Sequence, residues 1–176
     1  MPFVRHAALA AALAGAVAVP AVPALAEQAP RVITATGPTY VYDRAYQSVR
    51  TTVQAGETGN GSWVVLEATG FPSTAVGKTF GAHVHTNKCG ARPEDAGPHY
   101  QDPRTPRNAS LSTREVWLDF TVGPDRVGRA AAVRGWKIPK GAANSIVIHA
   151  HSTNPWTGDA GGRLMCQTVP FGDSRR

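Results

Sequence analysis

The chain has 176 residues, with 18 lysines and arginines against 12 acids, six histidines and two cysteines, for a formal net charge of +6. That length suits one compact domain with a substantial core. The basic excess favours anionic partners, but the charges are scattered, with no Lys/Arg stripe interleaved with aromatics, which argues against a nucleic-acid partner.

The first 26 residues read as a secretory signal, with Arg5 as a thin positive start, an apolar stretch from Ala7 to Val19, and a small-residue cleavage site at Ala24-Leu25-Ala26. Pro20 and Pro23 interrupt the stretch and alanine is weakly apolar, which speaks against an uncleaved membrane anchor. Cleavage after Ala26 leaves residues 27–176 as a single domain. It is expected to be secreted, extracellular or periplasmic, with no membrane attachment. Loss of Arg5 leaves 17 basic residues against 12 acids, a charge of +5. The only cysteines are Cys89 and Cys166, and two cysteines in an exported chain imply one disulfide.

Beyond a loose lead from Glu27 to Arg31, short apolar-polar alternations separated by turn residues predict an all-β domain. Strands are expected near Thr39 to Tyr42, Val49 to Gln54, Ser62 to Ala68, Thr79 to His85, Glu115 to Thr121, Val127 to Val133, Ser145 to Ala150 and Arg163 to Val169. Val64, Leu66 and Ala68 form the apolar side of one of these, and Val116, Leu118 and Phe120 that of another. Gly123-Pro124-Asp125 reads as a hairpin connection. About eight antiparallel strands predict a sandwich or flattened barrel. Two long loops interrupt the pattern: Thr86 to Arg114, with four prolines, and Ser152 to Gly162, with three glycines. Long loops on a compact β scaffold are where function usually sits. Gly172 to Arg176 reads as a frayed tail.

Five of the six histidines fall in three clusters: His83 with His85, then His99, then His149 with His151. A strand points residues i and i+2 to one face, so His83 and His85 present two imidazoles side by side while Val84 turns into the core. His149 and His151 repeat the spacing, with Ile146 and Ile148 on the opposite face. Any one of these histidines alone reads as an ordinary core or surface residue. Together they read as metal ligands, and imidazole suits copper, zinc, iron and nickel, whereas two cysteines are too few for a thiolate zinc ribbon.

The motifs come in a telling order: GAHVH, Cys89, Ala96-Gly97-Pro98-His99, Ile146-Val147-Ile148-His149, and Gly158-Asp159-Ala160-Gly161-Gly162-Arg163-Leu164-Met165-Cys166. From Thr79 to Cys166 this resembles the copper/zinc superoxide dismutases; residues 31–70 match only as a strand pattern. The resemblance implies a Greek-key β fold, a copper cofactor, and superoxide anion as substrate. It implies conversion to dioxygen and hydrogen peroxide by Cu(II)/Cu(I) cycling. It makes His83, His85, His99 and His149 the copper ligands. Two catalytic roles follow: Arg163 holds the anion beside copper, and His99 releases copper and carries a proton. Cys89 and Cys166 match the family disulfide that ties the long loop to the strand carrying Arg163. His151 matches no family ligand and is expected to support a ligand from behind or to stand at the rim, or simply to be a surface histidine.

The departures matter as much. No histidine lies between His99 and His149, so the zinc ligands of the family are missing. Asp102 and His99 supply two at most, short of the four that close a structural zinc site. Thr153 stands where the family has an aspartate linking the two metal sites, and Ser152 to Gly162 is shorter than the usual electrostatic loop. The resemblance is therefore to a copper-only variant without zinc and with a more open copper site. His99 then needs another group to orient it, and Glu115 is the candidate to accept its second N–H. A homodimer is left open. Two rivals share features: an exported copper carrier on the same fold, which has no need of Arg163, and a cupin, whose H-x-H is followed by a glutamate where this chain has Lys88 and Cys89.

Overall fold

The computed structural model describes Met1 and residues 32–172. Apart from Met1, the expected signal segment lies outside the described residues, as do the lead from Glu27 to Arg31 and residues 173–176. Among the described residues no helix is long and apolar enough to cross a membrane.

The described residues form ten strands in chain order: β1 (Val32–Gly37), β2 (Tyr40–Val41), β3 (Arg50–Thr58), β4 (Gly61–Thr69), β5 (Thr79–Phe80), β6 (Ala82–His85), β7 (Phe120–Thr121), β8 (Gly128–Arg134), β9 (Ser145–His149) and β10 (Arg163–Thr168). Among the described residues helix is confined to 3-10 turns and the single turn Leu111–Arg114. Antiparallel ladders join the strands into two four-stranded sheets, β1-β3-β4-β8 and β2-β10-β9-β6, and a pair, β5-β7. The sheets do not close, so the fold is a sandwich and not a barrel.

Alternation builds the core. Val53 and Ala55 of β3, Val64, Leu66 and Ala68 of β4, and Ala132 of β8 face Val84, Ile146, Ile148 and Met165 of the second sheet in one apolar cluster. Phe71, Phe80 and Phe120 close one end, with ring centroids 5.4–5.9 Å apart. Burying a side chain of this size is worth about 1.5–3 kcal/mol.

Three expectations need correction. Ten strands replace about eight, because β1 lies where none was expected and Gly81 divides the expected strand Thr79–His85 into β5 and β6. A Cβ on Gly81 would sit 2.7 Å from Ala160 Cβ and 2.8 Å from Thr153 Oγ1, so only glycine lets the loop 152–162 approach this closely. Of Glu115 to Thr121 only β7 is a strand. Its upstream half follows β6 through separate bonds, Val84 N–H to Val116 O at 3.2 Å and Leu118 N–H to Ala82 O at 2.7 Å. Gly123 to Val127 does turn the chain, but β7 and β8 pair with β5 and β4. The turn therefore links two sheets and closes no hairpin.

Every residue of β9 is buried. Ile146 and Ile148 enter the main core, while Val147, on the other face, packs with Ala96 and Cys166 and the adjoining Tyr42 and Cys89. The outer face of this sheet is thus roofed by loop 86–114, and His83, His85 and His149 project under that roof.

Candidate metal centre

Strand parity places three of the imidazoles. Ala82 and Val84 belong to the core, so His83 and His85 must emerge on the opposite, outer face of β6. Cross-strand pairing of β6 with β9, His83 opposite Val147 and His85 opposite Ser145, brings His149 alongside. His99 joins from loop 86–114 through a bridge to His85. One ligand atom from each of His83, His85, His99 and His149 lies within 4.8 Å of all the others.

Hydrogen bonds decide which nitrogen of each ring faces the centre. His85 Nδ1 is 2.9 Å from Gly97 O and His149 Nδ1 is 3.1 Å from Gly161 O. A carbonyl only accepts, so both rings carry their proton on Nδ1 and leave Nε2 bare. Those two Nε2 atoms face each other at 3.4 Å, and two bare lone pairs attract only through a cation between them. His99 Nδ1 lies 2.9 Å from Glu115 Oε2, which again leaves Nε2 free. His83 is the reverse: Nε2 is 2.7 Å from Thr153 Oγ1, while Nδ1 is buried without a hydrogen-bond partner. An unpaired buried acceptor costs about 1–3 kcal/mol, and a metal ion at the centre would remove that cost.

Electrostatics keep the set ready for a cation. Burial first, then the neighbouring imidazoles of His99 and His149, holds the His83 pKa far below its ordinary value. Burial lowers that of His85 strongly despite the Gly97 carbonyl. His149 is brought down to about 4, mainly by burial and against the Gly161 carbonyl. Neutral imidazoles are what a metal requires. His83 and His85 are fully buried and His149 nearly so, whereas the His99 side chain keeps 19% of its surface. The centre opens to solvent past His99.

Glu115 is a hub. Its Oε2 accepts from His99 Nδ1 and, at 2.7 Å, from Trp117 Nε1, while Oε1 accepts from Gln101 Nε2 at 2.7 Å. Burial pushes this carboxyl up, but the three donors outweigh it and hold it below the usual range. Arg163 sits opposite His149 in the β9–β10 ladder, where a register shift follows it. Its guanidinium donates to Pro93 O at 2.7 Å and Gly97 O at 2.8 Å. Gly97 thus serves both Arg163 and His85, with φ of 71° and Thr86 Oγ1 2.4 Å from where a Cβ would sit. No other residue fits there.

No family model and no curated protein matches the chain.

Among the other expected residues, Cys89 and Cys166 form a disulfide. His151 is exposed, lies past the end of β9 and stands outside the four-histidine group. Asp102 turns elsewhere: its oxygens accept from Arg104 Nε at 3.0 Å and Thr105 Oγ1 at 2.9 Å. Sequence reasoning missed Gln101, Trp117, Asp119 and the carbonyls of Gly97 and Gly161. Gln101 and Trp117 carried a readable signal, each standing two residues from a residue already singled out. Asp119 and the carbonyls carried none.

Proposed function

We propose that this protein is an exported superoxide dismutase that works with copper alone, in the manner of a copper-only member of the copper/zinc superoxide dismutase family. The observation that carries the reading is the convergence of four imidazoles, each with one nitrogen tied to the protein and three of them, His83, His85 and His149, kept neutral mainly by burial, beside a guanidinium that belongs to no ion pair among the described residues. Four nitrogens with no thiolate or carboxylate suit Cu(II) and tolerate Cu(I). Copper held there supplies one-electron exchange between those two states, which is what disproportionation of two superoxide anions and two protons into dioxygen and hydrogen peroxide needs.

The chain supplies the rest. Arg163, fixed by two carbonyls, offers its charge to a small monoanion. His99 takes up and returns a proton at Nε2, the nitrogen that Glu115 leaves free, while Glu115 keeps Nδ1–H in place through both states. Export is supported by the signal-like start of the sequence and by the disulfide.

Metal analysis of the purified mature protein together with pulse radiolysis tests the reading. One copper per chain, no zinc and fast decay of superoxide support it. Copper binding with no acceleration of that decay points to a carrier, and stoichiometric zinc removes the copper-only part. Two variants probe the roles. Arg163→Ala is expected to lower the association rate at least about tenfold and to flatten its dependence on ionic strength; an unchanged profile would remove Arg163 from anion capture. Glu115→Gln keeps the shape but replaces one acceptor oxygen by a donor. Copper affinity, read by competition with a chelator, should fall about 10- to 100-fold.

A further inference from the structure

His83 differs from the other three histidines in what holds it. The others donate from Nδ1 to a carbonyl or carboxylate, whereas the polar neighbour of His83 is a hydroxyl, Thr153 Oγ1, 2.7 Å from Nε2. A hydroxyl both donates and accepts, so by itself it leaves the ring tautomer open. Asp119 removes that freedom. Its Oδ1 lies 2.7 Å from Thr153 Oγ1 and its Oδ2 accepts from Thr153 N–H at 2.8 Å. A carboxylate only accepts, so the single hydroxyl proton of Thr153 goes to Asp119, and Oγ1 is left to accept from His83 Nε2–H. The opposite arrangement would set Thr153 Oγ1 and Asp119 Oδ1 against each other at 2.7 Å without a proton between them. His83 Nδ1 is then bare, which agrees with its burial and its lack of any partner.

We propose that Thr153 and Asp119 are positioning residues for the metal centre: a hydroxyl relay, anchored on the Asp119 carboxylate, fixes the proton of His83 on Nε2 and aims Nδ1 at the ion. The relay spans the fold. Asp119 immediately precedes β7, Thr153 belongs to loop 152–162, and Gly81 gives Thr153 the space to reach His83. The same loop supplies the Gly161 carbonyl to His149, so one short segment sets the tautomers of two of the four rings. The inference rests on the metal-centre reading above, but its first consequence is visible without metal.

The test is a long-range proton–nitrogen correlation spectrum of the metal-free protein, followed by copper competition and Cu(II) EPR. In the parent, His83 should be protonated on Nε2 and unprotonated on Nδ1. Thr153→Val keeps the shape and removes the hydroxyl; it should give a mixed tautomer, a copper affinity about 10- to 100-fold lower and altered Cu(II) hyperfine values. Thr153→Ser should restore all three. Asp119→Asn leaves one acceptor oxygen for two donors, freeing the hydroxyl to turn its proton towards His83, and should mix the tautomers even if the valine variant fails to fold. A His83 protonated on Nδ1 in the parent would overturn the relay, as would a valine variant with parental tautomer and affinity. A parent that shows the stated tautomer but takes up no copper would sink the dismutase reading and leave the relay standing.

Discussion

His85→Ala is expected to abolish the four-nitrogen Cu(II) EPR spectrum and to lower copper affinity by more than about 100-fold. The size follows from position. Loss of a residue that only orients a ligand costs about 10- to 100-fold in metal affinity, and the proposed centre makes His85 a ligand itself, fully buried, with its ring 4.8 Å from His99 and 5.6 Å from His149. The metal-free fold should suffer much less. Gly97 O keeps its bond from Arg163 when His85 is gone, and removing the ring relieves the facing lone pairs of His85 and His149. Those gains offset the lost packing, so metal-free variant and parent are expected to unfold within about 2 kcal/mol of each other. Chemical denaturation of both metal-free proteins, beside EPR of both copper-loaded ones, separates the two effects. An unaltered spectrum in the variant would remove His85 from the ligand set; a collapse of the metal-free fold would make its role structural.

The pattern that exposes His85 in the sequence is the one that exposes the core. In a strand every second residue shares a face, so His83 and His85, like Val64 and Leu66, declare their side by spacing alone. His99 sits on a loop with no periodicity and was found by motif order. β1 escaped because its alternation is shallow: Val32, Thr34 and Thr36 are exposed while Ile33, Ala35 and Gly37 are only half-buried, and the run ends in Gly37-Pro38, so a short edge strand reads as the approach to a turn. The supporting contacts were illegible for a different reason. Asp119 and Thr153 are 34 residues apart and Arg163 and Gly97 66 apart. Only the packing of loops 86–114 and 152–162 over β6 and β9 brings them together, and one of each pair's contacting atoms in the second case is a backbone carbonyl, which carries no sequence signature. Glu115 was within reach because the missing zinc ligands left His99 in need of an acceptor.

Replacing Cys89 and Cys166 together by serine is expected to cost about 4.5 kcal/mol in stability, the chain-entropy value for a bridge across 77 residues. For a domain of this size that corresponds to a fall of about 10–20 °C in Tm. The loss has a local part as well. Cys166 is fully buried in β10, and Cys89 begins the stretch of loop that presents Pro93 O and Gly97 O to Arg163 and Gly97 O to His85. Two weaker contacts hold the same stretch: Tyr42 Oη–H to Gly90 O at 3.0 Å and Cys89 N–H to Thr168 Oγ1 at 3.3 Å. Without the bridge the stretch from Cys89 to Pro93 relies on these, while Thr86 N–H to Pro98 O at 3.0 Å and Asn87 N–H to Ala96 O at 2.9 Å still hold the part nearer His99, so the guanidinium should lose its fixed direction before any histidine leaves the centre. Below the lowered Tm, the copper-loaded double variant should therefore keep its Cu(II) spectrum while its superoxide kinetics lose ionic-strength dependence, as in Arg163→Ala. Thermal unfolding and pulse radiolysis over a range of salt check the two parts separately. A lower Tm with unchanged salt dependence would confine the disulfide to global stability, because a loop that still aims Arg163 without the bridge does not need it for that task.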